Sequence, residues 1–311
     1  MNNDSTSQIM SLTQLGYLTV TGSDTTKFLH AQFTNDLEAL AVSHWHYSGY
    51  CTPKGRLLAF MIVLRRDDND YLLIMDDSVI DKFLPRLCMF VMRDDVSIKK
   101  GTGKLLGSIE NTPEDWRDEM DAPSEPGSAV CSENRCLLAI DEQRVLYINE
   151  SGQAESSSTS QQDWIRQDIF AGIPTITTET QESYVPQMVN LDLIGAVNFK
   201  KGCYPGQEVV ARVHYLGKIK QRMFYLSLET TDDIAPGDQV FSAHQADKAV
   251  GTVVSAVNEN GATELLAVLQ TKAVIEGLSL HLGSVDGPEM TMHKLPYPIP
   301  DIEAEPEDQA D

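Results

Sequence analysis

Residues 198–212 read NFKKGCYPGQEVVAR, from Asn198 to Arg212. Two lysines, Lys200 and Lys201, precede Cys203, and Gly202 and Gly206 bracket it with Pro205 between. Glycine permits tight turns and close approach to the backbone. Pro205 fixes its own φ and can open a helix. Gln207 to Arg212 suits that helix, with Glu208 near its positive end. Cys203 is then expected just before a helix N-terminus and beside two cations. Both features stabilise a thiolate, so the stretch predicts a thiol more acidic than a free cysteine. A small hydrophobe in a Gly-Pro turn accounts for a lone cysteine too, and local chemistry weighs the two readings evenly.

Working outward, the run KGCYPGQEVVAR resembles the K-G-C-[FY]-x-G-Q-E-x-x-[AS]-R signature of the YgfZ family of folate-binding proteins. The motif residues here are Lys201, Gly202, Cys203, Tyr204, Gly206, Gln207, Glu208 and Arg212. Upstream, Tyr184-Val185-Pro186-Gln187 and Asn190-Leu191 resemble that family's iPQ…NL segment, and Leu295-Pro296-Tyr297 resembles its closing segment. The likeness runs from Leu12 to Tyr297 and is weakest between Glu110 and Ser160. The family is related in fold to the glycine-cleavage T-protein, a folate-dependent aminomethyltransferase.

Composition bounds the function class. The chain has 311 residues, and 24 basic against 46 acidic residues give a net charge of −22. That surplus argues against broad nucleic-acid binding, which rests on phosphate neutralisation. It is concentrated in Glu110 to Glu125 and after Asp301, where solvated chain is expected. No stretch is long and apolar enough to span a membrane. The start, MNNDSTSQIM, lacks a basic and then apolar signal pattern. Five cysteines without framework spacing predict reduced thiols, hence a cytoplasmic protein.

Along the chain, Leu15–Thr21 (LGYLTVT) reads as a strand and Gly22-Ser23-Asp24 as a turn with an N-cap. Phe28, Leu29, Phe33 and Leu37 fall at helical spacing. His44 and His46 share one strand face, but no Cys, Asp or Glu nearby completes a metal set, so two partly exposed histidines are expected. Thr52-Pro53-Lys54-Gly55-Arg56 is a basic turn before a strand, Leu57 to Leu64. In an acidic protein it can hold an anion such as a folate glutamate tail; a solvated hairpin turn explains it equally. Tyr71 to Met75 is a strand, and Ser78 to Met92 is helical with Cys88 in the core. Asn111 to Gly127 is expected as a surface excursion, Ala129 to Ile140 and Arg144 to Ile148 as a hairpin, and Ser151 to Ser160 as a flexible loop. Cys131 and Cys136 are wrongly spaced for zinc. Gln161 to Ala171 reads as a helix carrying Trp164. Five short segments follow Arg212: Gln221–Leu228, Gln239–Ser242, Val250–Val257, Glu264–Leu269 and Ser279–Leu282. They suggest a small antiparallel barrel.

The resemblance implies an α+β protein. Residues 8–216 would form a T-protein-like folate-binding α/β region of two interleaved α+β subdomains, with 105–160 most variable. Residues 217–298 would form the barrel, and 1–7 and 299–311 disordered tails. It implies a folate-binding accessory protein, with tetrahydrofolate or a derivative as cofactor. Such a protein supports iron–sulfur enzyme maintenance and tRNA modification, and its partners are iron–sulfur proteins including tRNA-modifying enzymes. Cys203 would be the working thiol, redox-active or a transient cluster ligand completed by a partner; no resident metal site is expected. Trp164 matches a family tryptophan associated with folate, and core packing explains it as well. Lys54, Arg56, Gln187 and Asn190 complete the expected folate set. One departure is Leu15, which stands where some members carry a second folate-associated tryptophan. Two rivals share the chain: a tetrahydrofolate-dependent aminomethyltransferase, and a scaffold without a small ligand. No complete catalytic constellation is visible, which leans away from an enzyme.

Overall fold

The computed structural model describes residues 8–152, 160–217, 219–243 and 248–303. The chain forms two compact units, each assembled from separated segments. The first takes the chain up to Tyr50, then Leu58–Trp164 and Ala196–Pro205. The second takes Cys51–Leu57, Ile165–Gly195 and the chain from Gly206 onward. Segments 165–195 and 206–216 fold with the barrel.

The first unit's strands are β1 (Gln8–Ser11), β2 (Leu15–Thr21), β3 (His44–Cys51), β4 (Leu57–Asp67), β5 (Asp70–Asp76), β6 (Ser97–Lys100), β7 (Lys104–Ile109), β8 (Ala129–Ser132), β9 (Arg135–Ala139) and β10 (Arg144–Asn149). Its helices are α1 (Thr25–His30), α2 (Asp77–Cys88) and α3 (Glu114–Glu119). Two five-stranded sheets run in the orders β3-β4-β5-β2-β6 and β1-β7-β10-β9-β8. Alternation along β5 explains the layering. Tyr71, Leu73 and Met75 join the core that includes Phe28, Leu29 and the α2 residues Ile80 and Phe83. Leu72 and Ile74 join the core shared with Leu138, Leu146 and Ile148 of the second sheet. Side chains of a strand point alternately to its two faces, so a strand buried on both reads as one apolar run. The second sheet's far face is covered by Trp116 of α3, stacked on Tyr147 with centroids 4.7 Å apart.

Several sequence expectations are corrected here. Helix α1 ends at His30, and Phe33 and Leu37 are fully buried from the turns beyond it. Helical spacing marked the core but not the helix length. The acidic stretch 111–127 contains α3, whose Trp116 is buried. Ala129–Ile140 is itself a hairpin, β8–β9, and directly opposed Cys131 and Cys136 form a disulfide across it, with Cα atoms 4.2 Å apart. Not all five thiols are therefore free. Cys88 is exposed, because α2 buries Val79, Ile80, Phe83 and Leu87 and the next position leaves that stripe. The expected loop 151–160 lies largely outside the described residues, as do 1–7 and 304–311.

The second unit comprises α4 (Gln162–Phe170, from Ile165 on), α5 (Gln207–Leu216), β11 (Gln221–Glu229), β12 (Gln239–Phe241), β13 (Gly251–Glu259), β14 (Ala262–Gln270), α6 (Thr271–Ile275), β15 (Leu280–Leu282), β16 (Glu289–His293) and α7 (Pro300–Glu303). The strands close a barrel in the order β11-β14-β13-β12-β15-β16. The short sixth strand, β16, was not legible beside Gly287 and Pro288, yet it pairs with both β11 and β15. Part of the tail expected as disordered is α7, and its Ile302 packs on the barrel core. The architecture is α+β with a C-terminal antiparallel barrel.

Candidate functional site

The thiol loop belongs to the first unit up to Pro205. Thr34 Oγ1 donates to the Ala196 carbonyl at 2.7 Å, and Asn198 N donates to the Thr34 carbonyl at 2.9 Å. Lys200 N donates to Asn198 Oδ1 at 2.8 Å, a side-chain turn that bends the chain before the motif. Lys201 then points inward. It is 8% exposed, and its Nζ donates to the Phe33 carbonyl at 2.6 Å and to the His30 carbonyl. Those carbonyls close the end of α1, so a cation there both caps the helix and anchors the loop. Burial pushes Lys201 down to about 8, against the fields of Asp36, Glu38 and Cys203, which raise it. Its ammonium also lies 5.1 Å from the Tyr204 ring centre. Cys203 itself is exposed. The two expected cations thus divide: Lys201 is a buried anchor within electrostatic reach of the thiol, and Lys200 stays at the surface.

Sequence reading missed the groups around this anchor. His30 Nδ1 lies 3.3 Å from Asp36 Oδ1. His46 is pushed down to about 4, chiefly by burial, with Asp36 opposing and Lys201 assisting. A cavity of about 400 Å³ is lined by Asn35, Asp36, His44, Trp45, His46 and Asn198, among others. The H-x-H pair was visible in the sequence. Its association with Asp36 and Asn198 is made by long-range packing and left no local signal. Among the described residues, no group of three or more His, Cys, Asp or Glu is arranged to hold a metal ion.

The remainder of the motif belongs to the second unit. Gly206 has φ +83° and is the N-cap of α5. A Cβ on it would fall 2.4 Å from the Thr52 carbonyl oxygen and 2.7 Å from Gly55 Cα. The Thr52–Arg56 turn, closed by Gly55 N donating to the Thr52 carbonyl at 2.8 Å, therefore packs backbone to backbone on the start of α5. Arg56 Nη1 donates to the Ser183 carbonyl at 2.6 Å, so its guanidinium is engaged within the protein. Lys54 is exposed.

Gln187 and Asn190 are fully buried. Gln187 Nε2 donates to the Val210 carbonyl of α5 at 2.7 Å. Asn190, at φ 58°, donates from Nδ2 to the Met223 carbonyl at 2.8 Å and accepts from Met223 N at 3.3 Å. These carboxamides tie the segment after α4 to α5 and β11. Trp164 is 3% exposed, in the first unit's core. The Arg144 guanidinium sits 5.1 Å over its ring, and a Cβ on Gly107 would come within 2.4 Å of it. The indole packs within that core. Of the expected folate set, only Lys54 keeps an exposed charge, and Trp164 and Lys54 belong to different units. Glu208 and Arg212 are exposed on α5, and Gln207 opens it.

No family model matches the chain. An uncharacterized protein of Haemophilus influenzae is 30% identical over 85% of this chain and 89% of its own length. The tRNA-modifying protein YgfZ of Photorhabdus laumondii is 27% identical over 94% of this chain and 92% of its own, and that of Sodalis glossinidius 26% over 94% and 93%. The chain belongs to the YgfZ family. Among solved structures, the glycine cleavage system aminomethyltransferase T of Bartonella henselae matches with a TM-score of 0.74 and 13% identity, over 93% of this chain and 86% of that one. At that identity the likeness speaks for the fold, which is that of the aminomethyltransferase T proteins. No helix among the described residues is long and apolar enough to cross a membrane.

Proposed function

We propose that this YgfZ-family protein is a folate-binding accessory factor for tRNA modification and for the iron–sulfur enzymes that carry it out, with Cys203 as its working thiol. The observation that carries the proposal is an exposed cysteine on a loop anchored by a buried lysine. A cysteine kept only for packing has no need of surface exposure, and a buried ammonium is costly unless its position matters. The relatives' name, tRNA-modifying protein, supplies the process. The net charge of −22 favours action through proteins over direct binding of tRNA. Folate enters through the motif resemblance, and exposed Lys54 is the cation available for its glutamate carboxylates.

The test is complementation. Cells lacking the native protein receive the wild-type chain or Cys203→Ser, and modified nucleosides in total tRNA are measured by mass spectrometry. The wild type restores them and Cys203→Ser does not; full restoration by a stably expressed Cys203→Ser removes the thiol from the proposal. Titration with tetrahydrofolate, followed by tryptophan fluorescence and by calorimetry, tests the ligand. Absence of binding heat and of a fluorescence change leaves the scaffold reading.

A further inference from the structure

A covalent tie lies beside the corner where the first unit's two sheets meet. β8 is an edge strand of one sheet and β3 an edge strand of the other. Ala129 N donates to the Ser43 carbonyl at 2.8 Å and Trp45 N to the Gly127 carbonyl at 2.9 Å, and an isolated β-bridge pairs His44 with Ser128. The Ala139 carbonyl of β9 accepts from the Trp45 indole N–H and from Gly127 N, each at 3.0 Å. Gly127, His44, Trp45 and His46 line the cavity of about 400 Å³. Two residues beyond Ala129, Cys131 is bonded to Cys136 of β9, directly opposite it. The two sulfur-bearing residues are unequal: Cys136 is fully buried and Cys131 is partly exposed. The bond joins residues only five apart in sequence, which the β8–β9 ladder already holds opposed. A cross-link removes loop entropy from the unfolded chain, and a short loop gives the least. The bridge is therefore poorly placed as a staple, while its outer sulfur is placed for thiol exchange, which needs access.

We propose that Cys131 and Cys136 form a reversible dithiol–disulfide site for small thiols of the glutathione class, and that the bridge tightens this corner of the fold. The proposal is independent of any role of Cys203. Reduction runs through Cys131. A glutathione thiolate attacks Cys131 Sγ, the bond between the two cysteines breaks, and Cys136 leaves as a thiolate that takes up a proton. A second glutathione thiolate attacks the glutathione sulfur of the mixed disulfide, and Cys131 leaves in the same way. Two glutathiones give up two electrons and become glutathione disulfide, and the protein gains two thiols. Oxidation by glutathione disulfide is the reverse. Without the bridge, only the β8–β9 ladder holds the outer end of this edge strand, so its pairing opens more often. That loosening reaches β3 and the cavity wall through Ala129 and Gly127.

The test equilibrates the full chain in glutathione mixtures, from the disulfide alone to a large excess of the reduced thiol, approached from both directions. Acid quenching, alkylation and peptide mass spectrometry then read the bridged fraction, with circular dichroism reporting that the chain stays folded. The bridge passes from almost wholly formed to almost wholly reduced within that range, falling with the square of the reduced thiol concentration. Exposed Cys88, a free thiol, is the internal control. A bridge that persists in excess reduced glutathione in the folded chain overturns the proposal, as do thiols that stay unbridged in glutathione disulfide. Cys136→Ser should accumulate one glutathione on Cys131, and Cys131→Ser should accumulate little on Cys136; equal or opposite loading overturns the assigned order of attack. The native titration stands whether or not these variants fold. Amide hydrogen exchange of the bridged and reduced wild-type chain reads the structural half. The Trp45 and Ala129 amides should exchange at least about tenfold faster when reduced, as in local opening, while those of β13 and β14 in the barrel do not change. Equal exchange in the two forms overturns the tightening of the corner.

Discussion

Lys201→Met isolates the energetics of the buried ammonium. Lys201 is 8% exposed, and burial holds it at about 8, down from 10.5. Between those values the unfolded chain binds a proton that the folded chain does not, so wild-type stability rises with pH across that window. The gap, at 1.36 kcal/mol per pH unit, amounts to about 3 kcal/mol. Below pH 8 the lysine is charged in both states and the whole cost is present; above 10.5 it is neutral in both and the cost is gone. The anchor survives deprotonation, because a neutral amine keeps two N–H groups for two acceptors, the His30 and Phe33 carbonyls. Methionine carries no charge at any pH and fills similar volume.

The assay is urea unfolding of wild type and Lys201→Met at several pH values from 7 to 11. Subtracting the two curves cancels every group they share. Running both in a Cys203→Ser background removes the thiolate field that raises the lysine, and so widens the window. The difference in unfolding free energy should move in favour of wild type by about 3 kcal/mol between pH 8 and 10.5. Parallel curves across that range would refute the argument, and would mean that the ammonium reaches water in solution.

Gly206→Ala should cost about 3 kcal/mol or more, seen as a lower thermal midpoint, since φ +83° and the 2.4 Å approach to the Thr52 carbonyl both penalise a Cβ; an unchanged midpoint would mean that the turn and helix separate readily. Arg222 makes a bidentate pair with Asp192 at 2.7 and 3.0 Å, the side chains 3% and 7% exposed, so Arg222→Met alone should destabilise by about 3–5 kcal/mol and Arg222→Met with Asp192→Leu by much less. Equal losses in single and double variants would show that the pair is not the source. Trp164→Phe should lower stability by about 1–3 kcal/mol as a core vacancy, and any loss of folate affinity should track the fraction unfolded; a selective affinity loss in a stable variant would restore a direct contact.

The sequence made legible those features whose cause is local. Strand β5 is a run of apolar residues because both its faces are covered, and the barrel strands are separated by turn residues that stop them. What stayed hidden depends on distant partners. Nothing in SIKK announces β6, whose register with Leu18–Thr21 is set by β2, nor EMTMH as the strand that closes the barrel. The backbone pairing of the buried Gln187 and Asn190 carboxamides, with the Val210 and Met223 carbonyls, likewise depends on distant partners and has no local signal. The Cys131–Cys136 bridge was missed for a related reason, since direct opposition requires the two-residue turn Glu133-Asn134 and the hairpin register it sets.

The motif that opened the reading is continuous in sequence and divided in structure. Its first half, through Pro205, belongs to the first unit, where Lys201 spends its donors on the end of α1 and Cys203 is left at the surface. Its second half begins at Gly206 in the second unit, where a left-handed glycine starts α5 against the Thr52–Arg56 turn, and where Gln187 binds α5 through the Val210 carbonyl. The close packing of Gly206 on Gly55 ties the signature to the basic turn more than a hundred residues earlier, and it explains why both turns need glycine at that point. A motif read from sequence as one chemical site thus combines two tasks. One half presents a thiol, and the other starts α5 against the Thr52–Arg56 turn; Cys203→Ser should change reactivity at constant stability, while Gly206→Ala should change stability first.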